Sequence, residues 1–205
     1  MKYYISTLLL PISIFFISCG DNTTTPLIKD INTLFINDAN ITLHSTDLAY
    51  NTTATVVYTD NSTADATEAV LWTSSNSDVL SAYSGALTPL SNGGNVTITA
   101  SYEQFSDSKP VQIYALTDYN ASFPDINATG TYVFQAYGNF ENGDTNFPIV
   151  NNIIWSADND AVIEVTDGVA SITLVAGDTN VTATVFGETN TSSPIGPQSK
   201  IYTIN

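Results

Sequence analysis

Cysteine and histidine, the side chains that most often carry nucleophilic or proton-transfer chemistry, occur once each in this chain, as Cys19 and His44. A Ser–His–Asp or Cys–His arrangement would have to use His44. That histidine ends the apolar–polar stretch 41–44, which predicts an edge-strand residue facing water. A zinc site is not expected, because one histidine and one cysteine supply too few ligands. The residue types therefore predict no catalytic role, no metal and no cofactor.

The twenty acidic residues raise two further possibilities, calcium binding and glycoside hydrolysis. Residues 158–160 open like an EF-hand loop, but Val162 and Ile163 stand where an oxygen ligand and a glycine are needed, which excludes that loop. Asp118 and Asp125 could share a calcium ion between two domains; the alternative is that both are simply solvated. A pair of carboxylates facing each other across a cleft could hydrolyse a glycosidic bond. The sequence neither supports nor excludes such a pair.

Nine Asn-X-Ser/Thr sequons form another pattern, and five of them carry an acidic residue two positions earlier. The longer pattern resembles the acceptor of some bacterial oligosaccharyltransferases. Asn120 and Asn127 are predicted to be the most accessible of these acceptors. The alternative is that an acidic chain rich in Asn and Thr forms sequons by chance. The nine asparagines are Asn22, Asn40, Asn51, Asn61, Asn95, Asn120, Asn127, Asn180 and Asn190.

The charge balance excludes a whole class of partners. The chain has four lysines, no arginine and a net charge of −16. Nucleic-acid binding requires Lys or Arg to neutralise phosphates, and adhesion to anionic lipid headgroups requires a basic patch. Neither DNA, RNA nor an anionic lipid surface is therefore an expected partner.

The start of the chain has the pattern of an export signal. Lys2 precedes the apolar run Leu8–Ile17, and small residues follow it. A short basic segment, an apolar segment of this length and small residues at its end are typical of a secretory signal peptide. The run is too short for a membrane-spanning helix, which needs about 20 apolar residues. Residues 1–18 are therefore predicted to be a signal peptide.

The residues after this signal suggest covalent lipid attachment. The segment Phe16-Ile17-Ser18-Cys19 resembles the lipobox of bacterial lipoproteins, although Phe16 stands where Leu is usual. The resemblance implies that acyl chains on Cys19 anchor the protein to a membrane. Gly20, rather than Asp, then favours the outer membrane. Residues 19–26 would be the lipidated cysteine and its tether; the alternative is a free Cys19 after an ordinary signal peptide.

An internal repeat sets the domain organisation. The segment Leu71–Val79 recurs as Ile154–Val162, and the two tryptophans of the chain, Trp72 and Trp155, lie 83 residues apart at equivalent positions. Repeats of this kind identify structural units. The sequence therefore predicts two similar domains in tandem.

The domain boundary is predicted from composition. The stretch 117–129 is polar and contains Pro124, features that mark a loop rather than a strand. We therefore expect a first domain at 27–116, a linker at 117–129 and a second domain at 130–205.

Short alternating segments predict an all-β fold. In Asn95–Tyr102, apolar residues alternate with threonine and serine, which is typical of a strand with one buried face. Similar short segments, separated by polar turns, occur in both repeats. Such spacing favours β-sandwiches, and no amphipathic helix is expected after the signal.

Three spaced segments resemble a known family. Tyr58–Thr63, Leu71–Asn76 and Val96–Ala100 are similar to the bacterial Ig-like domain, group 2 (BIG2). The resemblance implies tandem Ig-like sandwiches without an inter-sheet disulfide, with Trp72 and Trp155 in the cores. A sugar-stacking role for Trp72 is the alternative.

BIG2 domains are often cell-surface modules, so the resemblance implies a lipid-anchored, non-catalytic envelope protein that acts in adhesion or as a structural spacer. Its partner would be an unknown surface protein or polysaccharide. The alternative is a periplasm-facing accessory lipoprotein that binds polysaccharide or protein. The long second-domain loops, 139–148 and 187–198, are the candidate binding segments for it. Solvent exposure of Tyr137, Phe140 and Phe147 would favour that alternative.

Overall fold

The structure, a computed structural model, describes residues 29–126, 130–160, 162–166, 169–172, 177–186 and 193–204. The described chain is entirely β-strands, turns and irregular segments. It forms two Ig-like β-sandwich modules, which confirms the predicted fold class. Among the described residues, no helix is long and apolar enough to cross a membrane. Residues 1–28, with the predicted signal, Cys19 and the tether, lie outside the described residues.

The first module has two main sheets and one small one. Their strand orders are β1-β4-β5, β2-β10-β9-β6 and β3-β8-β7. Neighbouring strands are antiparallel except β2 and β10, which run parallel. The strands are β1 (Ile31–Ile36), β2 (Ile41–His44), β3 (Tyr50–Asn51), β4 (Ala54–Tyr58), β5 (Thr63–Asp65), β6 (Leu71–Ser74), β7 (Leu80–Tyr83), β8 (Ala86–Pro89), β9 (Gly94–Tyr102) and β10 (Phe105–Tyr114).

Period-two alternation builds the first core. Along β9, Val96, Ile98 and Ala100 are buried, while the threonines between them face outward. Successive side chains of a strand point to opposite faces, so one face of β9 packs inward. Trp72 of β6 is only 5% exposed and belongs to this core. Its indole N–H donates to the carbonyl of Thr67 at 2.8 Å, which satisfies the polar group that burial would otherwise leave unpaired.

The second module repeats this plan. Its described sheets have the strand orders β11-β13-β14, β15-β18-β19 and β12-β17-β16, and all of their strand pairs are antiparallel. The strands are β11 (Leu116–Ser122), β12 (Thr131–Val133), β13 (Gln135–Phe140), β14 (Phe147–Pro148), β15 (Ile153–Ala157), β16 (Ile163–Thr166), β17 (Val169–Ile172), β18 (Gly177–Val185) and β19 (Gln198–Ile204).

The structure corrects the predicted linker. Residues 116–122 form β11, which pairs with β13 from Leu116↔Phe140 to Ser122↔Gln135. A bulge after Leu116 interrupts the register, as it does after Ile31 in β1. A bulge inserts an extra residue into a strand. The buried residues Leu116 and Tyr119 therefore lie three positions apart, whereas Tyr119 and Ala121 lie two apart. This irregular spacing hid the alternation in a polar stretch.

The second module therefore begins before the predicted linker ends. After β11, the chain lies against β19, where the Tyr202 hydroxyl donates to the carbonyl of Pro124 at 2.7 Å. Ala115 alone separates β10 from β11. The predicted domain bounds, 27–116 and 130–205, are therefore replaced by the bounds of two modules that meet at Ala115.

Trp155 is less deeply placed than Trp72. It lies in β15 between two clusters of the second core and is partly exposed. Its ring centroid is 5.3 Å from that of Phe134 and 5.9 Å from that of Phe123. The centre of this core is β18, where Val181, Ala183 and Val185 are fully buried.

Candidate functional site

The junction of the modules centres on Leu116, the first residue of β11. Its N–H donates to Oδ1 of Asn92 at 2.7 Å, and Nδ2 of Asn92 donates to the Leu116 carbonyl at 3.1 Å. The hydroxyl of Ser45, a fully buried residue, donates to the same Oδ1 at 3.1 Å. One side-chain amide thus satisfies both backbone groups of Leu116 and fixes the start of the second module.

A second set of hydrogen bonds comes from the turn after β14. The Asn151 N–H donates to the carbonyl of Thr46 at 3.1 Å, and its side-chain amide donates to that of Asp47 at 3.2 Å. Nδ2 of Asn152 donates to the Ser45 carbonyl at 2.8 Å. Asn152 has a φ of 58°, a left-handed conformation in which asparagine is enriched. The turn therefore binds the 45–47 loop of the first module.

His44 forms a third contact between the modules. Its Nε2 lies 2.9 Å from Oδ2 of Asp144, and its Nδ1 lies 3.5 Å from Oδ1 of Asp47. The ring packs against Phe140 and Phe147, with centroid distances of 4.2 and 4.8 Å. Both nitrogens face carboxylates, so neither is left to activate a hydroxyl nucleophile. The geometry suits a hydrogen-bonded bridge between the modules.

The prediction that His44 faces water is wrong. The residue does lie on an edge strand, β2, but its side chain is only 14% exposed. The second module covers it with residues about one hundred positions away in the chain. Asp144, the partner of His44, has a pKa below its ordinary value. The hydrogen bond with His44 lowers this pKa most, and the hydrogen bond from Asn142 adds to the effect.

The three aromatic side chains proposed to distinguish a binding surface have different environments. Phe140 is buried at 4% exposure, and Phe147 is 43% exposed. Both contact His44, so the predicted binding loop 139–148 packs on the first module. Tyr137 is partly buried and borders a cleft. The other predicted binding loop, 187–198, is described only from residue 193.

The cleft lies in the second module, between β13, β14 and β15, and has a volume of about 390 Å³. Its lining combines apolar and aromatic side chains with polar groups, and the Tyr137 hydroxyl donates to Oε1 of Gln135 at 3.0 Å; none of its side chains is an acid, a lysine or a histidine. The lining residues are Phe134, Gln135, Ala136, Tyr137, Pro148, Ile149, Val150, Ile153 and Trp155.

The two repeats show why the cleft is open. In the first module, residues 66–70 form a helical turn, with the N–H of Val70 donating to the Ala66 carbonyl at 3.0 Å. This turn provides the carbonyl that accepts the indole N–H of Trp72. The equivalent turn of the second module, 149–153, contains the asparagines that bind the first module. Within the described part of the chain, the Trp155 indole N–H forms no hydrogen bond.

The remaining predicted site residues are dispersed. Asn120 is exposed on the edge strand β11, not in a linker, and its backbone pairs with Tyr137. Asn127 lies outside the described residues. Asp118 accepts a hydrogen bond from the N–H of Tyr119, whereas Asp125 pairs with Lys200 at 2.9 Å. Among the described residues, no group of three His, Cys, Asp or Glu side chains could hold a metal ion.

Each lysine of the described chain is paired with an aspartate. Nζ of Lys29 lies 2.8 Å from Asp60, and Lys109 lies 3.0 Å from Asp107. With Lys200 paired to Asp125, the described surface carries no cluster of free positive charge.

No family model matches the chain, and no curated protein matches it either. Fragments of an S-layer protein and of a protocadherin are among the similar solved structures. Domains 5–6 of the S-layer protein SbsC are 14% identical, with a TM-score of 0.38 over 86% of this chain and 99% of that one. Human protocadherin-24 EC1-2 is 12% identical, with a TM-score of 0.31 over 86% and 96%. Likenesses this distant carry no information about function, and the Ig-like assignment rests on the two sandwiches themselves.

Proposed function

We propose that this protein is a lipid-anchored, non-catalytic component of a bacterial envelope, in which two Ig-like modules act as one stiff spacer. The observation that carries the proposal is the junction. A single residue joins the modules, and Asn92, Asn151 and Asn152 bind backbone groups across the boundary. A polar, hydrogen-bonded boundary without a linker resists bending, whereas a flexible linker permits independent motion.

The anchoring part of the proposal rests on the sequence. The apolar run before Cys19 and the lipobox-like residues 16–19 support export and acylation. Two or more acyl chains are needed for stable attachment to a membrane. The seven residues 20–26 could then extend about 25 Å, which would place the first module beyond the headgroups. The outer membrane is the proposed location.

The spacer would present the second module farthest from the membrane. This placement follows from the order of the chain, since Cys19 precedes the first module. The resemblance of residues 58–63, 71–76 and 96–100 to BIG2 domains supports a role in adhesion to a surface protein or polysaccharide. A periplasm-facing accessory protein is the second candidate, and the cleft beside Trp155 is the observation in its favour.

Protease shaving of intact cells tests the proposal, with Cys19→Ala as the matched control. We expect protease to remove both modules from whole cells, and we expect the Cys19→Ala protein to be released or mislocalised. Protection of the modules until the outer membrane is opened would contradict surface exposure and favour the periplasmic alternative. Retention of the Cys19→Ala protein at the membrane would contradict lipid anchoring.

A further inference from the structure

We propose that the cleft of the second module binds an uncharged sugar residue of a polysaccharide, and that docking of the two modules holds this cleft open. The inference concerns Trp155, Tyr137 and the 149–153 turn. Sugar binding does not depend on lipid anchoring or on the spacer, whereas the coupling rests on the docked junction of the proposed function; the two parts are therefore tested separately.

The lining of the cleft fits a neutral saccharide. Trp155 and Tyr137 are amphipathic aromatic side chains, and Gln135 adds a side-chain amide. Aromatic walls with a few polar groups are typical of small-ligand sites, and the volume of about 390 Å³ falls within the usual range of roughly 300–1,000 Å³. A chain with a net charge of −16 would repel an acidic glycan. The apolar C–H face of an uncharged sugar can stack on the aromatic rings, and its oxygens can accept a hydrogen bond from the Trp155 N–H.

Coupling between cleft and junction follows from the comparison of the two repeats. In the first module, the 66–70 turn caps the Trp72 indole. In the second module, Asn151 and Asn152 hold the equivalent turn on the 45–47 loop of the first module. Without these contacts the turn would be held at Asn152 by the Phe186 N–H, which donates to its carbonyl at 2.8 Å, and it could move towards Trp155. Binding in the cleft should accordingly weaken when the junction loses Asn152.

NMR can test the site directly, because the chain has two tryptophans and hence two indole ¹⁵N–¹H signals. The chain from Gly20 onward would be titrated to millimolar concentration with neutral hexasaccharides of glucose, mannose and N-acetylglucosamine, and Trp155→Phe would assign the signals. We expect a saturable shift of the Trp155 signal with at least one sugar, while the buried Trp72 signal stays in place as the internal control. If no sugar shifts the Trp155 signal, or if both signals move equally, the proposal is overturned.

The coupling is tested with Asn152→Ala, compared with Asn32→Ala, an exposed asparagine on β1 of the first module that is not among the lining residues. We expect Asn152→Ala to weaken sugar binding at least fivefold and to move the Trp155 signal without added sugar, with Asn32→Ala unchanged. Equal binding by both variants would contradict the coupling. A panel of unstructured neutral peptides completes the test, and a Trp155 shift with peptides but not with sugars would contradict the assigned ligand.

Discussion

At the scale of single residues, Trp72 and Trp155 occupy equivalent repeat positions in different environments. Trp72 is buried and donates to Thr67 at 2.8 Å, while Trp155 borders the cleft. We expect Trp72→Phe to lower the free energy of unfolding by about 1–3 kcal/mol, because the Thr67 carbonyl loses its partner. Trp155→Phe should cost less. Urea titrations followed by circular dichroism measure both, and an equal or larger loss for Trp155→Phe would contradict the difference.

Asp107 provides a pH-dependent link between the two sheets of the first module. Its carboxylate accepts the N–H of Ile36 at 2.8 Å and pairs with Lys109. Burial raises the pKa of Asp107, but the hydrogen bonds from Ile36, Lys109 and Ser108 outweigh it, and the pKa lies below its ordinary value. A carboxyl whose folded-state pKa is lowered stabilises the fold above the unfolded-state value of about 3.9.

The sign of the effect gives a testable prediction. The stabilisation by Asp107 is complete at neutral pH and is lost as the pH falls through the lowered folded-state pKa. We expect Asp107→Asn to cost about 1 kcal/mol at pH 7 and the two proteins to converge in stability below about pH 3. Thermal unfolding followed across pH 2–7 measures this. A constant difference over the whole range would show that ionisation of Asp107 does not contribute.

At the scale of turns and strands, Gly93 lies where the modules meet. It has a φ of +88°, and a Cβ added to it would lie 2.8 Å from the Cβ of Ala115. Gly143 is a matched control, with a φ of +91° and no atom within 4 Å of an added Cβ. We expect Gly143→Ala to cost about 1–2 kcal/mol from left-handed backbone strain alone, and Gly93→Ala to cost more because Ala115 must move. Urea unfolding measures both, and equal losses would contradict close packing at Ala115.

The strands that form the two sandwiches could be predicted from the sequence where alternation is regular. Val96, Ile98 and Ala100 alternate with threonines, so β9 could be recognised directly. The strand β11 was missed because its bulge places Leu116 and Tyr119 three residues apart. The sequence signal that could have found it is the offset of 83 residues between the tryptophans, because the same offset maps residues 31–36 of β1 onto 114–119, which overlap β11.

The candidate site was harder to predict, because its contacts are between residues far apart in the chain. Asn92 lies in a polar, glycine-containing segment, and nothing local in the sequence indicates that it binds Leu116, 24 residues later. His44 and Asp144 are separated by 100 residues. Polar side chains of this kind look solvated in the sequence, and only the docking of the two modules gives them partners.

At the scale of the whole molecule, the proposed function depends on the two modules moving as one body. Leu116, Asn152 and His44 each make a contact across the boundary. The contacts involve both backbone and side chains, so the loss of one should weaken the junction without separating the modules. A chain that lacks both Asn92 and Asn152 should lose its common orientation.

Backbone ¹⁵N relaxation is the most direct measurement of this claim, made on the chain from Gly20 onward and on the Asn92→Ala, Asn152→Ala double variant. We predict that both modules of the unaltered chain fit a single elongated rotational diffusion tensor, and that the double variant gives two separate, faster tumbling rates. Separate tumbling of the modules in the unaltered chain would contradict the stiff spacer.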